Sequence, residues 1–153
     1  MKQSIAARQG ISTRGHAVRR RGNAVLDMAL VMPLLIMLTF GAVEYGYAFY
    51  LKHTLQGAAR EGARAAIVAG ATATSVQQAV DEAMAAAGFV QSKYTRPVTV
   101  EPSNWATAGA GQTIKVTVQA TWGTAGVNCL PTVLGGIGPA KVLQGATTMR
   151  KEG

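Results

Sequence analysis

The chain has 153 residues, a formal net charge of +8, two histidines and one cysteine. That length suffices for one domain and a short additional segment. Residues 1–22 hold six of the 15 Lys and Arg residues and no acid, whereas the other nine are nearly balanced by all seven acids. The positive charge therefore belongs to the N-terminus and not to a folded basic surface, which argues against nucleic acid as a partner. The lone cysteine excludes an internal disulfide.

Residues 1–22 are predicted to be a basic leader, unstructured over residues 1–18. A secretory signal peptide would carry its own apolar region before a small-residue cleavage site. This leader has no such region, so we expect the apolar helix that follows it to be retained. Basic flanks remain on the cytoplasmic side of a membrane helix, which predicts a cytoplasmic N-terminus and an extracytoplasmic C-terminus.

A long apolar segment follows the leader. From Met28 to Val43 the chain has 16 residues without a charge, which is about 24 Å of helix at ~1.5 Å per residue. A membrane span needs roughly 20 residues, so we assign residues 23–51 to a transmembrane helix with Asp27 and Glu44 near its two boundaries. We expect Glu44 to lie among headgroups, because aromatic residues follow it as in an interfacial belt. These aromatic residues are Tyr45, Tyr47, Phe49 and Tyr50.

The helix is predicted to leave the membrane and to continue as far as Gly70, since no helix breaker intervenes. Small residues recur every four positions at Ala58, Gly62 and Ala66, and such a ridge lets another helix or a sheet approach closely. An alanine-rich helix without a packing role explains the alanines equally well. Glycine inside a helix costs about 1 kcal/mol relative to alanine, so Gly62 favours packing.

Residues 52–153 are predicted to fold as a small periplasmic α+β domain. Apolar residues at helical spacing indicate a second helix over residues 75–87, with Ser75 as its N-cap and Gly88 at its end.

Strict alternation indicates a strand over residues 113–121, whose apolar side would pack beneath the helix ridge. A short strand before it and a third strand over residues 141–150, with poor alternation, complete a small antiparallel sheet. Between the last two strands, residues 125–139 are apolar and uncharged but too short to span a membrane. This segment either lies against the bilayer surface or a neighbouring subunit, or forms a buried loop. Within it, we interpret Cys129 as a small apolar filler near Leu130, Val133 and Leu134, with an intermolecular disulfide or a reactive thiol as the alternative.

The sequence shows no catalytic pattern. His16 and His53 have no second ligand at metal-binding spacing. The chain contains no nucleophile elbow, no phosphate-binding loop and no paired carboxylates. We therefore predict that the chain is not an enzyme and takes no metal and no cofactor.

The order of residues around Gly22 resembles a known processing site. The stretch RRRGNAVLDMALVMP places basic residues before Gly22 and an acid, Asp27, five residues after it. This order resembles the cleavage site of type IV-like prepilins, and more closely that of TadE-like pseudopilins of the tight-adherence (Flp) pilus. Asp27 stands where that family usually has Glu, and Met28 where it has an aromatic residue. The segment AAREGARAA, residues 58–66, resembles a second recurrent stretch of the family.

The resemblance implies a structural role in type IVb pilus biogenesis, adhesion and biofilm formation. A prepilin peptidase would cut between Gly22 and Asn23, and the new amino group would lie one helical turn before Asp27, where the two can pair. Other pilin-like subunits, the inner-membrane assembly platform and the lipid bilayer are the implied partners. The alternative is an uncleaved single-pass membrane protein with an extracytoplasmic partner-binding domain.

Overall fold

The computed structural model describes residues 17–152, with side chains from Ala24 onward. Most of the predicted leader, residues 1–16, lies outside the described residues. The first helix, α1, runs from Ala17 to Ile67. It begins earlier than the predicted start near Asn23, because arginine is a good helix former and the run at residues 19–21 extends the helix backward. Contacts divide the chain into two compact units, Met1–Ile36 and Met37–Gly153.

The outer part of α1 forms one side of the core of the second unit. Leu51 and Leu55 are fully buried there, as are several alanines farther along the same helix. Beyond the helix end at Ile67, Gly70 adopts a left-handed conformation with φ +77. Glycine adopts this conformation without the steric penalty of a Cβ atom, so the predicted breaker at Gly70 lies in the turn that follows the helix.

The second helix, α2, runs from Ala73 to Ala86. Its N-cap is Thr72, so the prediction of Ser75 as the N-cap is wrong. The two residues form a capping box: the Ser75 N–H donates to Thr72 Oγ1 at 3.1 Å, and the Thr72 N–H donates to Ser75 Oγ at 3.0 Å. Such reciprocal bonds satisfy two of the amides that a helix start leaves unpaired. Gly88, with φ +82, follows the helix as predicted.

Three antiparallel strands form the sheet in the order β1–β2–β3. Their bounds are Thr99–Glu101 for β1, Thr113–Thr121 for β2 and Val142–Arg150 for β3. Val116 in the centre of β2 pairs with Val100 on one side and with Thr147 on the other. A short helix, α3, covers Trp122–Ala125, and three 3₁₀ turns connect the remaining segments: Gln91–Lys93, Trp105–Thr107 and Thr132–Leu134.

One face of β2 supplies the centre of the core. Ile114, Val116, Val118 and Ala120 are all fully buried, which is the alternation that the sequence predicts for a half-buried strand. These side chains pack with apolar residues of α1 and α2. The α+β architecture, a long N-terminal helix with a second helix and a three-stranded antiparallel sheet, is thereby confirmed.

A partly buried network of polar side chains connects α2 to the segment that precedes β1. The Asp81 carboxylate accepts hydrogen bonds from Tyr94 at 2.7 Å and from Arg96 at 2.6 Å. Burial, followed by the hydrogen bond to Asp81, raises the pKa of Tyr94 to about 12. The Gln77 side chain adds a bond to the backbone N–H of Val98 at 2.9 Å. The network therefore fixes the start of β1 against the helix.

Candidate functional site

Residues 24–43, termed here the apolar half of α1, carry most of the exposed large apolar side chains among the described residues. Within them, one helix segment, Ala24–Ile67, is long and apolar enough to cross a membrane, with a mean hydropathy of 2.1 in its best window. Between Ala24 and Val43 the large apolar side chains are exposed on every side of the helix, as lipid or neighbouring helices require. They include Val25, Leu26, Met28, Leu30, Leu34, Leu38, Phe40 and Val43.

The predicted processing residues Gly22 and Asn23 lie inside α1, and their side chains are outside the described part. One turn farther along, Asp27 is exposed. It lines a shallow groove of about 280 Å³ whose other walls are apolar, formed by Ala24, Met28, Val31, Met32 and Leu35. The ion pairs among the described side chains are Arg96–Asp81 and Lys115–Glu101, and Asp27 takes part in neither.

The small-residue ridge of α1 faces the interior of its own domain. Ala58 and Ala66 are buried, at 1% and 0% exposure. A Cβ atom added at Gly62 would lie 2.7 Å from Val80 Cγ2 on α2 and 3.2 Å from Val116 Cγ1 on β2. These contacts leave no room for a second chain at this position. The ridge thus seats α1 on α2 and the sheet of the same molecule.

Glu44 occupies the most unusual position in the domain. We expected headgroups to surround its carboxylate, but its own chain encloses it, and its relative exposure is 0%. Oε2 accepts a hydrogen bond from the Leu130 N–H at 2.7 Å, and Oε1 accepts one from the Ile137 N–H at 2.6 Å. Hydrogen bonds to a carboxylate are stronger than those to a neutral acceptor. Glu44 therefore fixes both ends of the segment from Leu130 to Ile137.

The segment that Glu44 holds, residues 127–139, is termed here the Glu44 loop. Leu130 packs on the bare backbone of α1 at Gly41, where an added Cβ would lie 3.5 Å from Leu130 Cδ1. The Tyr45 hydroxyl donates to the Gly135 carbonyl at 3.0 Å. The sequence left open whether this apolar segment lies against the bilayer or a neighbouring subunit, or forms a buried loop. The structure shows a loop that is docked on α1 but whose apex remains exposed.

Cys129 in the Glu44 loop is exposed, and its Sγ lies 3.9 Å from the Val127 carbonyl oxygen. The interpretation as a buried filler is therefore wrong. Leu130, the next residue, takes the position against α1 instead.

An aromatic cluster lies one to two turns beyond Glu44. The ring of Tyr47 meets Trp122 edge to face at 6.1 Å, and Tyr50 stacks on Phe89 at 5.9 Å. The Tyr50 hydroxyl also donates to the Ala87 carbonyl at 3.0 Å. Of the four aromatic residues expected to form an interfacial belt, Tyr47 and Tyr50 thus make ring contacts with the domain, although Tyr50 remains exposed, as do Tyr45 and Phe49.

The role of Glu44 was not predicted from the sequence. Its donors are backbone amides that lie 86 and 93 residues away in the chain, and backbone groups leave no mark on sequence. Two features of the sequence could have indicated this contact. Glu44 is an acid at the end of an apolar run, and residues 125–140 form an uncharged, glycine-rich segment without side chains that would hold it in place.

Comparison with known proteins gives one family match. Residues 22–64 match the model of the family described as TadE-like protein. Neither the curated proteins nor the solved structures contain a match to the chain. The matched segment covers the exposed apolar half of α1 and the ridge residues Ala58 and Gly62, and it leaves Ala66, α2 and the sheet outside. Over residues 22–64 this chain is therefore similar to the TadE-like family, as the residues around Gly22 and the segment at residues 58–66 predicted.

Proposed function

We propose that the chain is a minor pseudopilin that a prepilin peptidase processes between Gly22 and Asn23. The family match, which begins at Gly22 and ends at Arg64, is the observation that carries this proposal. The mature protein would begin with the amino group of Asn23, directly ahead of the apolar half of α1.

The glycine at the cleavage point has a physical rationale. A peptidase needs an extended backbone in its cleft, whereas Gly22 lies within α1. Glycine in a helix interior is about 1 kcal/mol less favourable than alanine, so the helix unwinds more readily at this position than at its neighbours. The basic run at residues 19–21 would hold this segment on the cytoplasmic side of the membrane.

Asp27 would then pair with the new amino group. A carboxylate at the centre of a membrane helix costs about 2.5–3.5 kcal/mol on insertion scales, and less near the boundary. Asn23 and Asp27 are four residues apart, which places them on one face of the helix. Asp27 is exposed, so its carboxylate is accessible to the amine of the same chain or of a neighbouring subunit.

The exposed surface of the membrane-spanning helix is suited to contact other subunits. The ridge of Ala58, Gly62 and Ala66 is already occupied by the domain itself. The exposed apolar half of α1 is left for other pilin-like subunits and for the assembly platform in the inner membrane. The domain would stand on the periplasmic side, where a fibre component can serve pilus biogenesis, adhesion and biofilm formation.

Substitution at Gly22 tests the proposal. Replacement by Ala, Leu and Trp should cause progressively more full-length precursor to accumulate in membranes, because each larger side chain fits an extended protease cleft less well. Gly57→Ala is a matched control, since this glycine lies on the same helix with no atom near its Cβ position. Normal processing of all three Gly22 variants would exclude this cleavage site.

An uncleaved single-pass anchor is the second candidate. The unbroken course of α1 through Gly22 and Asn23 favours it. In that case the exposed domain would bind an extracytoplasmic partner. The wild-type protein and all three Gly22 variants would then retain residues 1–22.

A further inference from the structure

We propose that the Glu44 loop enters the hydrocarbon of the membrane leaflet on the domain side, as a second membrane contact beside α1. The inference requires the membrane span but neither proteolytic processing nor pilus assembly, so it stands or falls separately from the proposed function.

The first argument is the depth of the loop. A Cβ atom added at Gly135 would lie 3.9 Å from Met37 Cε, and Met37 belongs to the uncharged run from Met28 to Val43. Met37 precedes Tyr45 by eight residues, or about 12 Å along the helix at ~1.5 Å per residue. The interfacial layer on each side of a bilayer is roughly 5–7 Å thick. Side chains on a helix point toward its N-terminus, so the Tyr45 hydroxyl also reaches Gly135. The apex therefore lies below the backbone of Tyr45, toward the uncharged run.

The second argument is the side chains that the loop presents. Residues 125–140 carry no charge. Val133 is 93% exposed, the highest value among the exposed large apolar residues of the described chain, and the adjacent Leu134 is also exposed. Removing a valine side chain from water is favourable, because apolar surface is buried. An exposed apolar apex at the depth of the span gains this energy in lipid and forgoes it in water.

The third argument is the backbone. Irregular chain at membrane depth is tolerated only where its polar groups find partners within the protein. Five amides of the loop donate to protein acceptors: Leu130 and Ile137 to Glu44, Leu134 and Gly136 to Pro131, and Gly135 to Thr132. Proline at position 131 has no N–H to satisfy. Glu44 thus supplies acceptors that water would otherwise have to provide.

These arguments favour lipid over a protein partner. A protein interface would use side-chain donors or acceptors for specificity, whereas residues 130–137 present a single polar side chain, Thr132, among apolar ones. The loop is also continuous with the lipid-facing surface of α1, because it packs directly on Gly41 and Met37. We therefore assign acyl chains as the occupant of this surface.

Site-specific fluorescence in vesicles tests the assignment. The full chain, with Cys129→Ser and Val133→Cys, is labelled with an environment-sensitive nitrobenzoxadiazole probe and reconstituted into phosphatidylcholine–phosphatidylglycerol vesicles. We expect a blue-shifted emission and severalfold stronger quenching by acyl-chain nitroxide lipids than for a probe at Ser103→Cys. The control site is exposed and lies two residues from Trp105, which packs in one cluster with Ala63 and Ala66 at the other end of the domain. Cys129, labelled in the unaltered chain, gives a reading that needs no substitution.

The role of Glu44 is tested in the same system. Glu44→Gln replaces one acceptor oxygen with a donor, so one of the two amides loses its partner, and the blue shift at position 133 should decrease. Glu61→Gln, an exposed residue of the same helix, should leave the spectrum unchanged. An aqueous, unquenched spectrum at both loop positions would overturn the proposal. Quenching that disappears as the protein-to-lipid ratio rises would assign the apex to contact between copies and would overturn it equally.

Discussion

Gln56 binds both backbone polar groups of Ala146. Its Nε2 donates to the Ala146 carbonyl oxygen at 2.7 Å, and its Oε1 accepts from the Ala146 N–H at 3.3 Å. A third contact, from Nε2 to Thr147 Oγ1, measures 3.2 Å. The Gln56 side-chain amide thereby forms the hydrogen bonds that a neighbouring strand would form with β3, and it fixes α1 against this strand. Directly beside it, Gly145 lies against the backbone of Leu55 and Gln56, where a side chain would not fit.

Replacing Gln56 should destabilise the domain. Gln56→Ala leaves two backbone groups of β3 without partners in a half-buried position, and each such loss costs about 1–3 kcal/mol. Chemical denaturation of the detergent-solubilised protein, followed by tryptophan fluorescence, measures the change. Gln78→Ala, which removes only an exposed bond to Glu82 within α2, should change the free energy of unfolding by less than about 0.5 kcal/mol. Equal effects of the two substitutions would contradict this role.

Two glycines of α1 should respond in opposite directions to the same substitution. Gly62→Ala adds a methyl group against Val80 and Val116, and overpacking of this kind costs about 1–3 kcal/mol. Gly57→Ala meets no atom within 4 Å and should gain about 0.5–1 kcal/mol through helix propensity. Melting temperatures of the two variants measure the difference. Stabilisation by both would show that the ridge is not tightly packed.

Tyr94 should make stability dependent on pH at the alkaline end. Burial and the bond to Asp81 raise the pKa of Tyr94 from 10.0 to about 12, so the folded state holds its proton more tightly than the unfolded state. The corresponding stability is fully present below pH 10 and is lost as the pH rises toward 12. The free energy of unfolding of wild type minus that of Tyr94→Phe should therefore fall over this range. A difference that stays constant from pH 9 to 12 would contradict it.

Asp27 should matter for assembly more than for insertion. Under the proposed function, Asp27→Ala removes the partner of the mature amino group while leaving the apolar span intact. We expect normal membrane fractionation and loss of pili in electron micrographs. Asp27→Glu retains the charge and should restore most piliation, which separates a charge requirement from a simple packing change. Undiminished piliation of Asp27→Ala would remove the pairing role.

Local patterns predicted most of the fold. The alternation over Thr113–Thr121 specified β2 and its buried face, and the glycine at position 88 specified the end of α2. The N-cap was misplaced because Thr72 and Ser75 form one reciprocal motif, and either residue alone satisfies the cap preference. These features depend on neighbours within a few residues, which a sequence displays directly.

The position of the Glu44 loop could not be predicted in the same way. Glu44 contacts backbone amides of Leu130 and Ile137, and any residue type offers such amides. The small residues that permit the close approach, such as Gly41, were visible only as part of an apolar run. The site emerges from tertiary contacts between distant segments, with no periodic pattern to indicate it.

The intact mass of the protein extracted from membranes of cells that assemble the pilus tests the central claim most directly. If a peptidase exposes the amino group that Asp27 meets, the extracted chain begins at Asn23 in these cells and at Met1 in cells without the prepilin peptidase. A chain that begins at Met1 in both would contradict the account and leave a plain membrane anchor.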